Sequence, residues 1–299
     1  MNFIKATSLA LLVAALGTGM GRLKQGEVPS ARTRAAISHV RAPALPSFRK
    51  VFVIVLENAA AEKALRQPYL ASLLPIGAYL SQFFALSHPS QPNYIAMTSG
   101  STHGVSGNEP VDLAVRHLGD LLEARNLRWR QYAAGYPGGC FLGARSGKYV
   151  RRHAPFMSYT NVQDNPSRCA NTVSAAQLDR DIANGTLADY SLYVPDLDED
   201  GHDTGVAFAD AWLQKTFSLK FKNRRFMKDM LVVISFDEDD HGHGNHIYAV
   251  LLGDSVVPGS QSATRYDYYN LLRTIEDTWS LGTLGKHDAA AIPISGIWK

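Results

Sequence analysis

The chain has 299 residues, 45% of them hydrophobic, which is enough to bury one large core. Its 30 Lys and Arg against 27 Asp and Glu leave a formal net charge of +3, too mild to indicate a nucleic-acid binder. Basic residues gather only locally, at Arg151-Arg152 and from Lys220 to Arg225.

At the N-terminus, Lys5 precedes an apolar run from Leu9 to Leu16 and the small residues Gly17, Thr18 and Gly19. This layout predicts a signal peptide over residues 1–20 and a secreted or periplasmic protein; the run is too short to span a bilayer. Residues 21–47, with scattered Arg, Ala and Pro, read as a flexible lead-in to a single domain over 48–299. No later segment is apolar for long enough to cross a membrane, so stable membrane insertion is not expected.

Val51 to Leu56 is a continuous β-branched and aliphatic run, the mark of a strand buried on both faces of a parallel sheet, and it ends in Glu57-Asn58. A helix is predicted from Glu62 to Leu80, with Leu65, Leu70, Leu73 and Leu74 inward despite Pro68 and Pro75. Ser90 reads as the N-cap of a second helix with Pro92 in its first turn, which would place its hydroxyl among unpaired backbone N–H groups able to hold a phosphate. A helix over Asp112–Asn126 and a strand over Arg128–Ala134 follow. The stretch from Gly135 to Asn171 is mostly loop and holds both cysteines, Cys140 and Cys169. A single pair in an exported chain is able to close one disulfide; two buried free thiols are the other reading.

Ser174 is predicted to cap a helix that Gly185 stops, and Tyr190–Val194 is a short strand broken by Pro195. Beyond it stand Asp196, Asp198, Glu199, Asp200, His202 and Asp203. A helix over Val206–Phe221 should turn Phe208, Trp212 and Phe217 inward. Met230–Phe236 is a second fully buried strand, ending in Asp237-Glu238-Asp239-Asp240; Ile247–Leu252 is a third, and Tyr266–Trp279 a closing helix. Strands alternating with helices predict an α/β fold of three layers, with a mostly parallel sheet between helices.

Acids therefore stand at three strand ends, where open α/β sheets keep their sites. Oxygen ligands of this kind suit a divalent cation such as Mg, Ca, Mn or Zn. Glu199, Asp239 and Asp240 are expected instead to cap helices or face water. In His241-Gly-His-Gly-Asn-His246 the glycines leave ligand geometry unfixed, so His241 and His243 read as exposed decoration. His202, inside the acidic cluster, is the better candidate, since a protonated imidazole can give its proton to a leaving oxygen. His88 and His153, with Asn93, Asp200 and Asp203, are expected to contact substrate.

FVIVLENAA, SHPSQPNYIAMTSGSTHG, GKYVRRHAPF between the cysteines, PDLDEDGHD followed by AWL, and VVISFDEDD leading to YNLLRTIEDTWSL occur here in the order found in the phosphoesterase family. The chain resembles that family from about Val51 to Leu281. Its members resemble alkaline phosphatase in fold and include secreted acid phosphatases, phosphatidylinositol phosphatases and bacterial phospholipases C. The resemblance implies that Glu57, Asn58, Asp237 and Glu238 hold a metal, with Ser90 as nucleophile and further ligand and His202 as general acid. It departs at Ala59-Ala60-Ala61 and in the HGHGNH insert. Ser90 within HPSQPN looks more like the acid phosphatase branch, which implies a phosphomonoester substrate, with phosphoinositides a further expectation from Arg145, Lys148, Arg151 and Arg152. The competing readings are a phosphodiesterase of phospholipase C type, a non-catalytic binding module, and a serine esterase, for which no G-x-S-x-G elbow is present.

Overall fold

The computed structural model describes residues 46–299. The expected signal peptide over 1–20 and nearly all of the lead-in lie outside the described residues. Eight strands form the main sheet, in the order Ser260–Ser262, Ala78–Leu80, Ala249–Leu252, Met230–Phe236, Lys50–Leu56, Tyr190–Val194, Trp129–Ala133 and Thr172–Ser174. Ala249–Leu252 runs antiparallel to both of its neighbours, and every other pairing is parallel. The three strands that end in acids are thus adjacent at the centre and point the same way.

Apolar continuity explains why these strands are central. Val51 to Leu56 and Met230 to Phe236 are buried along their whole length. A strand flanked by parallel partners and covered on both faces has no solvent side on which to place polar residues. Phe52 anchors the packing on one face, its ring centroid 5.4 Å from Phe226, 5.9 Å from Phe217, 6.1 Å from Tyr193 and 6.3 Å from Tyr132.

Several expected elements are shorter or divided. Instead of one helix from Glu62 to Leu80, there are helices Ala61–Leu65 and Pro68–Leu73, a 3-10 turn Leu74–Ile76 and the strand Ala78–Leu80. Pro68 sits in the first turn of its helix and Pro75 in the 3-10 turn, because a proline has no N–H to continue a preceding helix. The expected helix over Asp112–Asn126 is confined to Leu118–Glu123, where His117 caps it through Nδ1, 3.0 Å from the Gly119 amide. Ser174 ends an edge strand, and the helix behind it runs over Gln177–Asn184 with Gly185 in the left-handed conformation as its stop.

The Val206–Lys222 helix buries Ala209, Trp212, Leu213 and Phe217, whereas Phe208, in its first turn, lies off that stripe and is 49% exposed. The third strand is split into His246–Ile247 and Ala249–Leu252, and the closing helix begins at Tyr268 after a two-residue strand. Cys140 and Cys169 form a disulfide, with Cα atoms 5.6 Å apart.

Truncation of Phe52 to alanine removes the hub of the aromatic packing. Phe52→Ala should lower the free energy of unfolding by about 3–5 kcal/mol, measured by denaturant titration of both proteins. A loss below about 1 kcal/mol would show that this aromatic face repacks freely.

Candidate functional site

The sheet register brings the acids together. Leu56 is aligned with Phe236 and Ile54 with Tyr193, so the residues that follow leave the sheet side by side. Two backbone hydrogen bonds extend the ladder past the strand ends. The Asp237 amide donates to Leu56 O at 2.9 Å, and the Glu57 amide donates to Asp200 O at 2.9 Å. Glu57, Asp200 and Asp237 are fully buried, and Glu238 is 2% exposed.

Ser90 stands opposite these acids at the start of the Ser90–Ser99 helix. It is the first helical residue, and Pro89, not Ser90, occupies the cap position. Its side chain does not cap the helix: the hydroxyl lies 3.2 Å from Glu57 Oε2 and 3.4 Å from Glu238 Oε1. One of the N–H groups expected to be free is occupied, because the Gln91 amide donates to Asn108 Oδ1 at 3.1 Å. Asn93 spends its side chain on the preceding turn. Its Oδ1 accepts from the Leu86 and Ser87 amides, and its Nδ2 donates to Ser87 O. Asn93 is therefore placed to hold the approach to Ser90 rather than to reach a substrate.

Asn58 adopts a φ of 43°, in the left-handed region that Asn tolerates better than most side chains. This turns its Nδ2 onto Glu238 Oε1 at 3.1 Å and leaves Oδ1 buried and unpartnered. Tyr94, one helical turn beyond Ser90, donates its hydroxyl to Glu57. Sequence reasoning missed Tyr94, although i+4 spacing from Ser90 places both on one helix face.

His153 is 2% exposed and stacks on Tyr94 at 5.0 Å. Its Nε2 is 3.4 Å from Glu57 Oε1 and its Nδ1 is 3.6 Å from Asp200 Oδ2, and neither nitrogen makes a hydrogen bond. Burial, reinforced by Arg152 and His202, holds the His153 imidazole well below its ordinary pKa.

His202 lies at the rim, with Nδ1 2.8 Å from Asp203 Oδ1 and Nε2 3.4 Å from an Arg152 nitrogen. Asp203, expected at the substrate, is thus a partner of His202, and it also accepts from Lys148 at 2.9 Å. Of the basic residues singled out for polyanions, Arg151 is 4% exposed and bound to Asp112 and to the carbonyls of Val111, Leu142 and Met157. It is a structural residue. Lys148 is held by Asp198 and Asp203, and Arg145, exposed, donates to Gly147 O at 2.7 Å, whereas Arg152 lies beside His202.

Asp239, expected to face water, is fully buried, and His88 bridges it to Glu238, with Nε2 3.1 Å from Asp239 and Nδ1 3.0 Å from Glu238. Asp240 pairs with Lys63, and Glu199 is half-buried.

The buried acids repel one another. Burial raises the pKa of Glu57, with Asp237 and Asp200 adding to the shift, and burial likewise raises Asp200, Asp237 and Glu238. Asn58 Oδ1, Asp200 Oδ2, Asp237 Oδ2 and Glu238 Oε2 are all buried without a hydrogen-bond partner. Ligand atoms of Glu57, His153 and Asp200 lie within 4.8 Å of one another. Buried, unpartnered oxygens among mutually repelling carboxylates are the donor set that a divalent cation satisfies, so these residues fit one.

Comparison with known proteins places this geometry in a family. Residues 63–282 match the sequence profile of the Phosphoesterase family; Glu57 and Asn58 precede the matched stretch. A probable acid phosphatase of Kluyveromyces lactis is 33% identical over 259 residues, which cover 82% of this chain and 61% of that protein. The chain therefore spans about three fifths of that relative's length. A phosphatidylinositol-3-phosphatase of Mycobacterium tuberculosis is 33% identical over 262 residues, covering 86% of this chain and 85% of that protein. The solved structure of a Vibrio parahaemolyticus protein of the alkaline phosphatase superfamily aligns with a TM-score of 0.55 at 14% identity, covering 84% of this chain and 72% of that one, which shows the fold.

The raised carboxyl groups set a pH dependence. A carboxyl that holds its proton more tightly in the folded than in the unfolded chain stabilises the fold at low pH, and that contribution is lost as pH rises through its folded range. Chelator-treated protein should therefore unfold at progressively lower temperature than cation-saturated protein as pH rises from about 4 to 8, read as a widening gap in calorimetric Tm. A gap that stays constant or narrows would mean that no cation is held by these acids. The motif order, the matched profile and the adjacent strand ends converge: the chain belongs to the Phosphoesterase family and carries the α/β fold of the alkaline phosphatase superfamily.

Proposed function

We propose that this chain is an exported, divalent-cation-dependent acid phosphatase that hydrolyses phosphomonoesters through a phosphoserine at Ser90. The observation that carries the reading is the position of the Ser90 hydroxyl, between Glu57 Oε2 at 3.2 Å and Glu238 Oε1 at 3.4 Å, at a helix start and against the central strand ends. Glu57, Asn58, Asp237 and Glu238 would hold the cation. Such an ion neutralises charge on the phosphoryl oxygens and makes the serine proton easier to remove.

The chain's own residues account for the rest. Ser90 Oγ attacks phosphorus and loses its proton towards the carboxylates beside it, while the bond from phosphorus to the ester oxygen breaks. The positive end of the Ser90–Ser99 helix favours the phosphoryl charge, and Arg152 adds a cation at the rim. His202, oriented through Nδ1 by Asp203, gives a proton to the departing alkoxide. Water then hydrolyses the phosphoserine, with His202 taking a proton from it.

The names of the K. lactis acid phosphatase and the M. tuberculosis phosphatidylinositol-3-phosphatase support the monoester class, and the latter also supports phosphoinositide head groups as substrates. The Cys140–Cys169 disulfide suits an oxidising compartment, in keeping with export. Among the described residues no helix is long and apolar enough to cross a membrane.

Ser90→Ala should reduce phosphate release from an aryl phosphomonoester by at least about 10³-fold across acid to alkaline pH. No release from the native protein with metals supplied would overturn the reading. His202→Gln tests the acid separately. It should slow hydrolysis of alkyl phosphates by about 10²-fold or more while sparing nitrophenyl phosphate, whose leaving group departs without a proton. Equal losses on both substrates would remove His202 from that role.

A further inference from the structure

The HGHGN stretch after Asp239 is built around a carboxylate. Asp239 accepts backbone N–H groups from His241 at 2.7 Å through Oδ1, and from His243 at 2.9 Å and Asn245 at 2.8 Å through Oδ2. His241, Gly244 and Asn245 take positive φ values of 67°, 62° and 60°, so the chain coils tightly about this side chain. The coil brings the His241 ring back onto His88, with centroids 4.1 Å apart.

His88 is fixed from its other side. Its Nε2 lies 3.1 Å from Asp239 Oδ1. The Nδ1 atom lies 3.0 Å from Glu238 Oε2, yet neither atom has a partner of hydrogen-bonding geometry, and both are buried. Glu238 is 98% buried, and its other oxygen, Oε1, is already engaged by Asn58 and Ser90. A carboxylate beside one imidazole nitrogen, with the other nitrogen turned towards a second carboxylate, is the kind of surrounding that metal-bound histidines have. An imidazolium at His88 would instead have a second imidazole stacked on its face. One nitrogen each of His88 and His241 and one oxygen of Glu238 lie within 4.8 Å of one another.

We propose that His88, Glu238 and His241 form a second cation site, distinct from the oxygen-rich site around Ser90 and joined to it through the two oxygens of Glu238. Two imidazoles and one carboxylate suit a borderline ion such as Zn2+, which takes three protein ligands and leaves a position open. The first site offers only oxygens apart from its neighbour His153 and suits a harder ion. Asp239 is a positioning residue here, orienting His88 and anchoring the loop that delivers His241. Binding at this site would fix Glu238 Oε2 and so set the orientation of Oε1 beside Ser90. The proposal does not require Ser90 to be a nucleophile, only that Glu238 faces both ways.

The test is Zn2+ and Co2+ stoichiometry on the full chain after chelation and desalting, by elemental analysis and Co2+ absorption spectroscopy. Native protein should bind two equivalents, and His241→Asn and His88→Gln one each. His241→Asn is the firmer variant because Asn accepts the positive φ at that position; circular dichroism checks its folding. Asp237→Asn should keep the Co2+ spectrum that the histidine variants lose. One equivalent lost only in Asp237→Asn, with both histidine variants binding like native protein, would overturn the second site and leave the first intact. One equivalent lost only in the histidine variants would support the second site and remove the first. Ring-proton NMR signals of His88 and His241 that do not move on Zn2+ addition would also overturn the proposal.

Discussion

Negative charge confined in a dry space is the constraint on which the rest of this structure depends. Parallel strands run out at the same edge of a sheet, and three adjacent ones here lead into Glu57, Asp237-Glu238 and the loop that carries Asp200. Such groups tolerate burial only when protonated, hydrogen-bonded or neutralised by a cation. The surroundings supply part of that compensation. Tyr94 donates to Glu57, Asn58 to Glu238, and the Ser90 hydroxyl lies between two of the acids. What remains uncompensated is a set of buried oxygens facing one another, a donor set that a divalent cation would satisfy.

The same edge explains what could be read from the chain. Tyr190–Val194 and Met230–Phe236 were legible to the residue, because uninterrupted apolar runs bounded by Pro195 and Asp237 admit one register and one environment. Once such strands are parallel, acids just beyond their ends must converge, so the grouping of Glu57 with Asp237 follows from pattern, whereas the loop after Val194 decides that Asp200, and not Asp196 or Asp198, joins them. Helices were less legible. Leucine spacing from Leu65 to Leu74 is helical on paper, but two prolines divide the segment, and Ala78–Leu80 joins the sheet because Leu251 and Val250 need a partner on their outer side.

Side-chain assignments failed where loops decide them. Nothing in the order Arg151-Arg152-His153 says that the first is buried under four backbone and side-chain acceptors, the second reaches the rim and the third stacks on Tyr94. A short 3-10 turn sends consecutive residues in three directions, and that turn is set by tertiary packing. Asp239 was misplaced for a related reason: its burial depends on three amides of a loop whose glycines carry no periodic signal.

The origins of the two halves of the site differ in kind. Glu57, Asp237 and Ser90 are fixed by the sheet and by a helix packed on it, whereas Arg152 and His153 arrive on an excursion whose ends Cys140 and Cys169 close into a ring. Part of that ring is pinned to the core, with Phe156 stacked at 4.3 Å on Trp129 of the main sheet and Tyr149, Met157 and Tyr159 buried, so change is tolerated chiefly in its exposed stretch from Phe141 to Lys148. The strand-end acids and the exposed part of this ring can therefore diverge at separate rates. A lineage with this architecture can rewrite the exposed part of one tethered segment while the buried acids at the strand ends stay as they were.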